Sequence, residues 1–348
     1  MSDAPHNRVR ATAIRPHLRG LTLVELMVAL VLGLLLIGGI INVFLGTQQT
    51  HRTQEAMSRV QEAGRFAVEM LAHEARQAGF SACAGMRMNN LLDQNDPGYD
   101  PAVHAARDAF SFVPEPAAHL RGDVLAVNRM RTLSTGRDAG TGDPANPQNV
   151  PPIVLDGASG VEQGTIVMVS SPDGTGCDLF QQTTTDTAAN LQRAAGGGTP
   201  GNITAAQAQY TAFDGPVDIS LAERSVYFIG ESAFNPGVSS LFRMRVTDGD
   251  TPREIVEGVY DMYVEYGEDT NDDGWVDTYI PHRSLDATSD WSRFAAVRVQ
   301  FLVYSGAQDN VVDEPRANIL FGGQFVDAPD RRLYQAFTTT IAARNRLR

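Results

Sequence analysis

The chain has 348 residues, enough for one large domain or two small ones, and its 43% of hydrophobic residues is enough for a core. All 28 basic residues are arginine, which excludes a P-loop lysine, a Schiff base and a lysine general base. The formal charge is −13, and it falls on the part after residue 20, because Arg8, Arg10, Arg15 and Arg19 face only Asp3 before it; so acidic a body repels nucleic acid at long range and suits divalent cations or a basic partner.

Residues 21–45 read LTLVELMVALVLGLLLIGGIINVFL, with Thr22, Glu25 and Asn42 as the polar interruptions. As a helix, Leu26 to Leu45 is about 30 Å long, the thickness of a bilayer core. The arginines precede it, so the first twenty residues stay cytoplasmic and the rest is exported. An ordinary secretory signal carries its small-residue cleavage site after the apolar run. Here the small residue comes before it, at Arg19-Gly20-Leu21. Glu25 then sits inside the apolar segment, where a carboxylate costs up to about 2.5–3.5 kcal/mol at mid-helix and less near an end. Something must compensate it.

The stretch R-G-L-T-L-V-E-L-M-V-A-L resembles the class III signal of type IV prepilins. The resemblance implies that a prepilin peptidase cuts after Gly20 and methylates the new N-terminus at Leu21. Phenylalanine is usual there, so Leu21 departs mildly from the pattern. It also implies that Glu25 pairs with the α-amine of a neighbouring subunit, a group protonated at neutral pH because its reference pKa is about 8.

Beyond the apolar run, Met57, Val60, Gly64, Ala67, Leu71, Ala75 and Ala78 recur at helical spacing. Glu55, Arg59, Glu62, Arg65, Glu69, Glu74 and Arg76 occupy other faces, and His73 and Glu74 read as surface residues. No proline falls between Pro16 and Pro97. Residues 21–79 therefore read as one helix of about 88 Å, with Gly79 as its C-cap. Gly33, Gly38 and Gly39 weaken the membrane half by about 1 kcal/mol each; the resemblance implies that such a stretch can melt during filament packing.

After Cys83 the pattern becomes β-rich. Two cysteines, Cys83 and Cys177, in an exported chain predict one disulfide. Strands are expected at Asp123–Arg129, Thr165–Ser170, Ser225–Ile229 and Leu241–Val246. In Val259–Tyr266 the residues Tyr260, Met262, Val264 and Tyr266 share one face, and in Val297–Tyr304 the residues Val297, Val299, Phe301 and Val303 do. A last strand runs from Tyr334 to Ala342. Residues 138–152 and 194–202 read as loops, and the glycines at 196–198 lack the strand–helix context of a phosphate cradle. No internal repeat is visible.

Three segments resemble the PilW family of minor pilins: residues 52–83, the stretch from Glu257 through Asp277, and the C-terminal R-R-L-Y-Q-A-F-T-T-T-I-A-A-R-N-R. Residues 86–220 carry little of the resemblance. Ile255 to Tyr304 also resembles, faintly, the minor pseudopilins of type II secretion.

Asp269, Asn271, Asp273 and Gly274 fit the first half of an EF-hand-type calcium loop, D-x-[DN]-x-[DN]-G. Trp275 offers a backbone carbonyl and Asp277 stands at the ninth position. The twelfth position is Ile280, where a bidentate glutamate would be expected. Weak Ca2+ binding is expected, around 10⁻⁴–10⁻³ M. The same residues also make good hairpin-turn chemistry.

The seven histidines form no zinc spacing, and no G-x-S-x-G elbow occurs. The expectation is an α+β, type IV pilin-like fold and no enzyme. Residues 1–20 are a cytoplasmic leader, 21–79 the helix (transmembrane at about 21–45) and 80–348 a periplasmic or extracellular β-rich domain. The resemblance implies a minor pilin that primes pilus assembly at or near the tip. Its implied partners are the prepilin peptidase, other minor pilins, the major pilin, a tip adhesin and the inner membrane. An adhesin or DNA-uptake pilin is a further alternative. Nucleic acid is not expected, since Arg331, Arg332, Arg344, Arg346 and Arg348 read as an ordinary charged terminus.

Overall fold

The computed structural model describes residues 22–79, 83, 88–99, 104, 108–138, 151–174, 176–196, 198–203, 210–213, 215–245, 251–307 and 309–343. The leader, Gly20, Leu21, most of the 138–152 loop and Arg344, Arg346 and Arg348 lie outside them. The chain divides into two compact units, one ending at Arg52 and the other starting at Thr53.

Helix α1 runs without a break from Leu23 to Arg76, 54 residues. In the first unit its apolar side chains are exposed all round, Leu35 at 68% and Leu36 at 69% for example. That is the pattern of a helix meant for an apolar solvent rather than for a one-sided core. Three of its polar side chains bond to their own backbone. Asn42 Nδ2 donates to the Gly38 carbonyl at 3.0 Å, and the Thr47 and Thr50 hydroxyls donate to the carbonyls four residues back at 2.8 and 2.9 Å.

In the second unit ten strands form one sheet: β1 (Met88–Asn90), β2 (Phe110–Ser111), β3 (Arg121–Asp138), β4 (Ile153–Val154), β5 (Ile166–Ser170), β6 (Cys177–Gln181), β7 (Asn190–Leu191), β8 (Pro216–Glu231), β9 (Ser239–Arg245) and β10 (Arg253–Glu257). Next come β11 (Val259–Glu268), β12 (Thr278–Pro281) and β13 (Phe294–Tyr304). A separate hairpin follows, β14 (Ile319–Phe321) with β15 (Gln324–Val326). Last, β16 (Tyr334–Ala342) completes a second sheet in the order β12-β11-β13-β16. Every described pairing is antiparallel except β1 with β6.

The long strands β3 and β8 serve two cores. Near its start β8 pairs with β5, and Val217, Ile219 and Leu221 pack with Val167, Val169 and Phe180. Near its end it pairs with β9, and Tyr227 and Ile229 join the core around α1. A buried ion pair ties the first of these regions together. Arg193 and Asp178, both fully buried, meet at 2.6 Å, while Arg193 Nη2 also donates to the Pro151 carbonyl at 2.8 Å.

The second half of α1 packs through a stripe of small residues. Ala56, Val60, Gly64, Ala67, Leu71 and Ala75 are buried. Val60, Ala67, Leu71 and Ala75 share one core with Met262, Val264, Val297, Val299, Phe301 and Ile341 of the second sheet. Small side chains let helix and sheet approach closely: a methyl group on Gly64 would run into the ring of Phe337. Leu71 is fully buried, worth about 1.5–3 kcal/mol. On the opposite face of this sheet, Tyr304 and Tyr334 pack with Ile319 and Phe321 of the hairpin.

The expected β16 matches residue for residue, and Val297, Val299, Phe301 and Val303 share the helix-facing side. Three expectations fail. Met57 is 44% exposed, and Ala56 holds the stripe instead. Tyr260 does not share a face with Met262, because the register shifts between Val259 and Asp261. That bulge turns Tyr260 towards Tyr304 and Tyr334. Glu74 is buried, not a surface residue, at 7% exposure. Gly79 does adopt the left-handed conformation of a helix stop, with φ +67°.

Glu74 belongs to a network that fastens the end of α1 to the first sheet. Its carboxylate lies 3.3 Å from Arg129 on β3 and 3.4 and 3.6 Å from Arg243 and Arg245 on β9. Glu223 on β8 closes the group at 2.8 Å from Arg129 and 3.1 Å from Arg245. Further along the chain Cys83 is joined to Cys177 of β6, with Cα atoms 6.0 Å apart across a separation of 94 residues. In the chain-entropy account that closure contributes up to about 4–5 kcal/mol. Glu74→Ala strips three half-buried arginines of a partner and is expected to cost about 2–3 kcal/mol, below the roughly 3–5 kcal/mol of a fully buried pair. Thermal unfolding of the full chain in detergent checks this against Glu69→Ala, an exposed control worth under about 1 kcal/mol. Equal losses would show the network to be peripheral.

Candidate assembly site and acidic loop

The first site is the start of α1. Thr22 is the N-cap: its carbonyl accepts from Leu26 N–H at 3.1 Å, and its hydroxyl oxygen accepts from Glu25 N–H at 3.2 Å. Glu25, three residues on, returns the contact. Its Oε2 accepts from Thr22 N–H at 3.1 Å and from the Thr22 hydroxyl at 3.2 Å. This is a capping box, in which two donors without intrahelical partners are satisfied reciprocally. A carboxylate in the first turn also complements the positive end of the helix dipole. No described residue donates to Oε1 of Glu25. In the sequence Thr22 stands out only as a polar interruption; the T-x-x-E spacing is the signal for its capping role. Gly20 and Leu21, the expected processing residues, lie outside the described residues.

The second site is the β11–β12 hairpin loop, which brings together all five residues of the expected calcium loop. Asp269 is buried and accepts from Asp273 N–H at 3.2 Å and Gly274 N–H at 2.8 Å. Asn271 Oδ1 accepts from Asp273 N–H at 3.0 Å, and Asp273 Oδ1 from Trp275 N–H at 2.8 Å. Asp277 accepts from the hydroxyl and N–H of Thr270, at 2.5 and 2.8 Å, which hold its carboxyl below the usual carboxylate range. Gly274 has φ +87°, the left-handed turn that glycine permits. The loop is thus folded by its own side chains. Among the described residues no group of three or more His, Cys, Asp or Glu side chains is placed to hold a metal ion. The Trp275 side chain is 77% exposed.

A groove of about 770 Å³ lies in the second unit, between Arg59, Glu62 and Phe66 of α1 and the segments around Asn235, Glu257 and Gly306. Ala63, Ile255, Val256, Tyr304, Ser305 and Ala307 also line it.

Replacing Thr22 by Ala is expected to cost the start of α1 about 1 kcal/mol. The measurement is amide exchange at Leu23, Val24 and Glu25 in micelles, which should speed several-fold. Unchanged exchange would mean that Thr22 does not cap the helix.

Residues 16–41 match the model of the prokaryotic N-terminal methylation motif, and residues 226–345 match that of type IV pilus-assembly protein W. No curated protein and no solved structure matches the chain. The helix Leu23–Arg76 is long and apolar enough to cross a membrane, and with the motif it suggests anchoring there. The prepilin motif over the start of this helix and the PilW match over the C-terminal part of the body together support a type IV pilus-related pilin.

Proposed function

We propose that the protein is a minor subunit of a type IV pilus, structural rather than catalytic, that helps prime assembly and lies at or near the tip. The observation that carries the reading is the pairing of the prepilin motif with a PilW-type body on one continuous helix. The peptidase cuts after Gly20 and methylates Leu21. The subunit waits in the inner membrane with its β-rich domain in the periplasm, then enters the fibre beside other minor pilins, the major pilin and a tip adhesin. Docking uses Glu25. Oε2 stays on the helix cap while Oε1 takes the α-amine of a neighbouring subunit, so assembly adds a charge pair without unfolding the first turn. The groove beside Phe66 and the size of the body both suit a position where packing is not uniform on all sides.

Mass spectrometry of sheared fibres tests the reading. The peptide beginning at N-methyl-Leu21 is expected at low stoichiometry beside a major pilin. Its confinement to the inner membrane together with secretion pseudopilins would instead support a type II secretion subunit, the reading that the Ile255–Tyr304 resemblance favours.

The spacing of Asp269, Asn271, Asp273, Trp275 and Asp277 supports weak calcium binding as part of the same reading, with the ion bracing the hairpin. At about 10 mM calcium and a Kd of 10⁻⁴–10⁻³ M, the gain is about 1.4–2.7 kcal/mol. The thermal midpoint of the wild type should rise with calcium, and that of Asp273→Ala should not. Equal responses to calcium, or to chelator, would remove the ion from the account.

A further inference from the structure

The face of the first sheet that receives the end of α1 carries more positive than negative charge. Residues directly opposite each other in a ladder project to the same side, as do alternate residues along a strand. Glu223 on β8 is opposite Arg129, and Leu221 is opposite Arg131. Ser225 is opposite Arg245, and Tyr227 is opposite Arg243. Arg129, Arg131, Arg243, Arg245, Glu223 and Ser225 therefore lie on one side, the side that Glu74 of α1 reaches.

Two carboxylates thus serve four guanidinium groups. Glu74 is shared by Arg129, Arg243 and Arg245. Glu223 is shared by Arg129, Arg245 and Arg131, the last at 3.9 Å. That distance is too long for a hydrogen bond, and no other described acid pairs with Arg131. Four positive charges against two negative ones leave an excess of two, in a chain whose net charge is −13. Each guanidinium also carries about five N–H donors, far more than two carboxylates accept.

Ser225 gives an independent sign of a ligand. It is 2% exposed, and its hydroxyl has no hydrogen-bond partner. A buried polar group left alone is costly, and such a group in a folded protein normally meets a water or an ion. Access to the face is graded. The Arg131 side chain is 49% exposed, against 25% for Arg245, 19% for Arg243 and 12% for Arg129. The charges are open at Arg131 and covered towards α1, where partial burial strengthens their pull on an anion.

The size of the excess selects the ligand. A lone carboxylate would leave one positive charge unmet. A phosphate group carries about −1.5 to −2 at neutral pH, and its oxygens accept from guanidinium forks in pairs. We propose that Arg131, Arg243 and Arg245 bind a doubly charged oxyanion of the phosphate class over β8, with the Ser225 hydroxyl donating to one of its oxygens. Glu74 and Glu223 keep Arg129 on the helix end, and the anion takes the donors they leave. It cancels repulsion among the arginines, so its binding stabilises the attachment of α1 to the first sheet. This goes beyond the pilin reading, which assigns no ligand to this sheet, and it stands or falls separately from it.

Calorimetric titration of the full chain in detergent, at neutral pH and constant ionic strength, tests the proposal. The probes are inorganic phosphate and, separately, glycerol 3-phosphate. Saturable binding at one site per chain is expected, with a rise in thermal midpoint and about tenfold weaker binding of acetate. Binding of both probes points to the free ion, and binding of the monoester alone to an esterified phosphate. Arg131→Gln, at the open side, should weaken binding about tenfold while keeping the wild-type midpoint in chloride. Ser225→Ala should weaken it as well, yet its midpoint in chloride should equal or exceed that of the wild type, because an unpaired buried hydroxyl is removed. A merely structural Ser225 would give the opposite pattern, a lower midpoint with unchanged affinity. No saturable binding of either probe, equal binding of acetate, or unchanged affinity in either folded variant would overturn the proposal.

Discussion

The structure depends on one helix meeting two solvents. Up to Arg52 the side chains of α1 are largely apolar on every face, and several of the polar ones bond to their own backbone. From Ala56 onward a single stripe of small residues faces a sheet, and the remaining faces are charged. The two halves obey different rules because their surroundings differ: hydrocarbon demands internal satisfaction of every backbone group, whereas water rewards a one-sided apolar stripe. No proline lies between Leu23 and Arg76, so none interrupts the helix before Gly79 stops it.

A helix loaded along its length needs a firm attachment to its body, and its last turn carries it. The alanine and glycine stripe supplies close contact but little area per residue. The polar fastening makes up the difference. Glu74 and Glu223 gather arginines from β3 and β9, so helix end, long strands and β9 share one set of charges around two buried carboxylates. Burying such a set is seldom worth more than packing apolar side chains there. What it adds is direction, because only one rotation of α1 puts Glu74 among three guanidinium groups. The Cys83–Cys177 link then fixes the chain's exit from the helix to β6, in the part of the sheet built on the other core.

Much of this is legible in the sequence, and the failures have physical causes. The apolar run, the disulfide and the alternation in β13 need only composition and period, while the G-L-T-L-V-E signature is legible through its resemblance to prepilins. Tyr260 escapes the pattern because one extra residue in a ladder flips a side chain and leaves no mark on alternation. Glu74 looks solvated because a charge on a helix usually is; its partners lie more than fifty residues away, and no local pattern announces them. Met57 loses its place to Ala56 because a four-residue step to Val60 suits the close approach better than a three-residue one. The short strands β1, β2, β4 and β7 have two or three residues each, too few for any period, and they exist only because longer strands and their neighbours present edges to them.

The same logic separates the two ends of the second sheet. At β12 the edge is four residues long, and its loop spends its carboxylates on its own N–H groups, so the backbone there is closed on itself. At β16 the sheet ends in a nine-residue strand that pairs with β13 without a register shift. A chain of net charge −13 has few arginines to spare. Many of those described are held in ion pairs with the acids of the body.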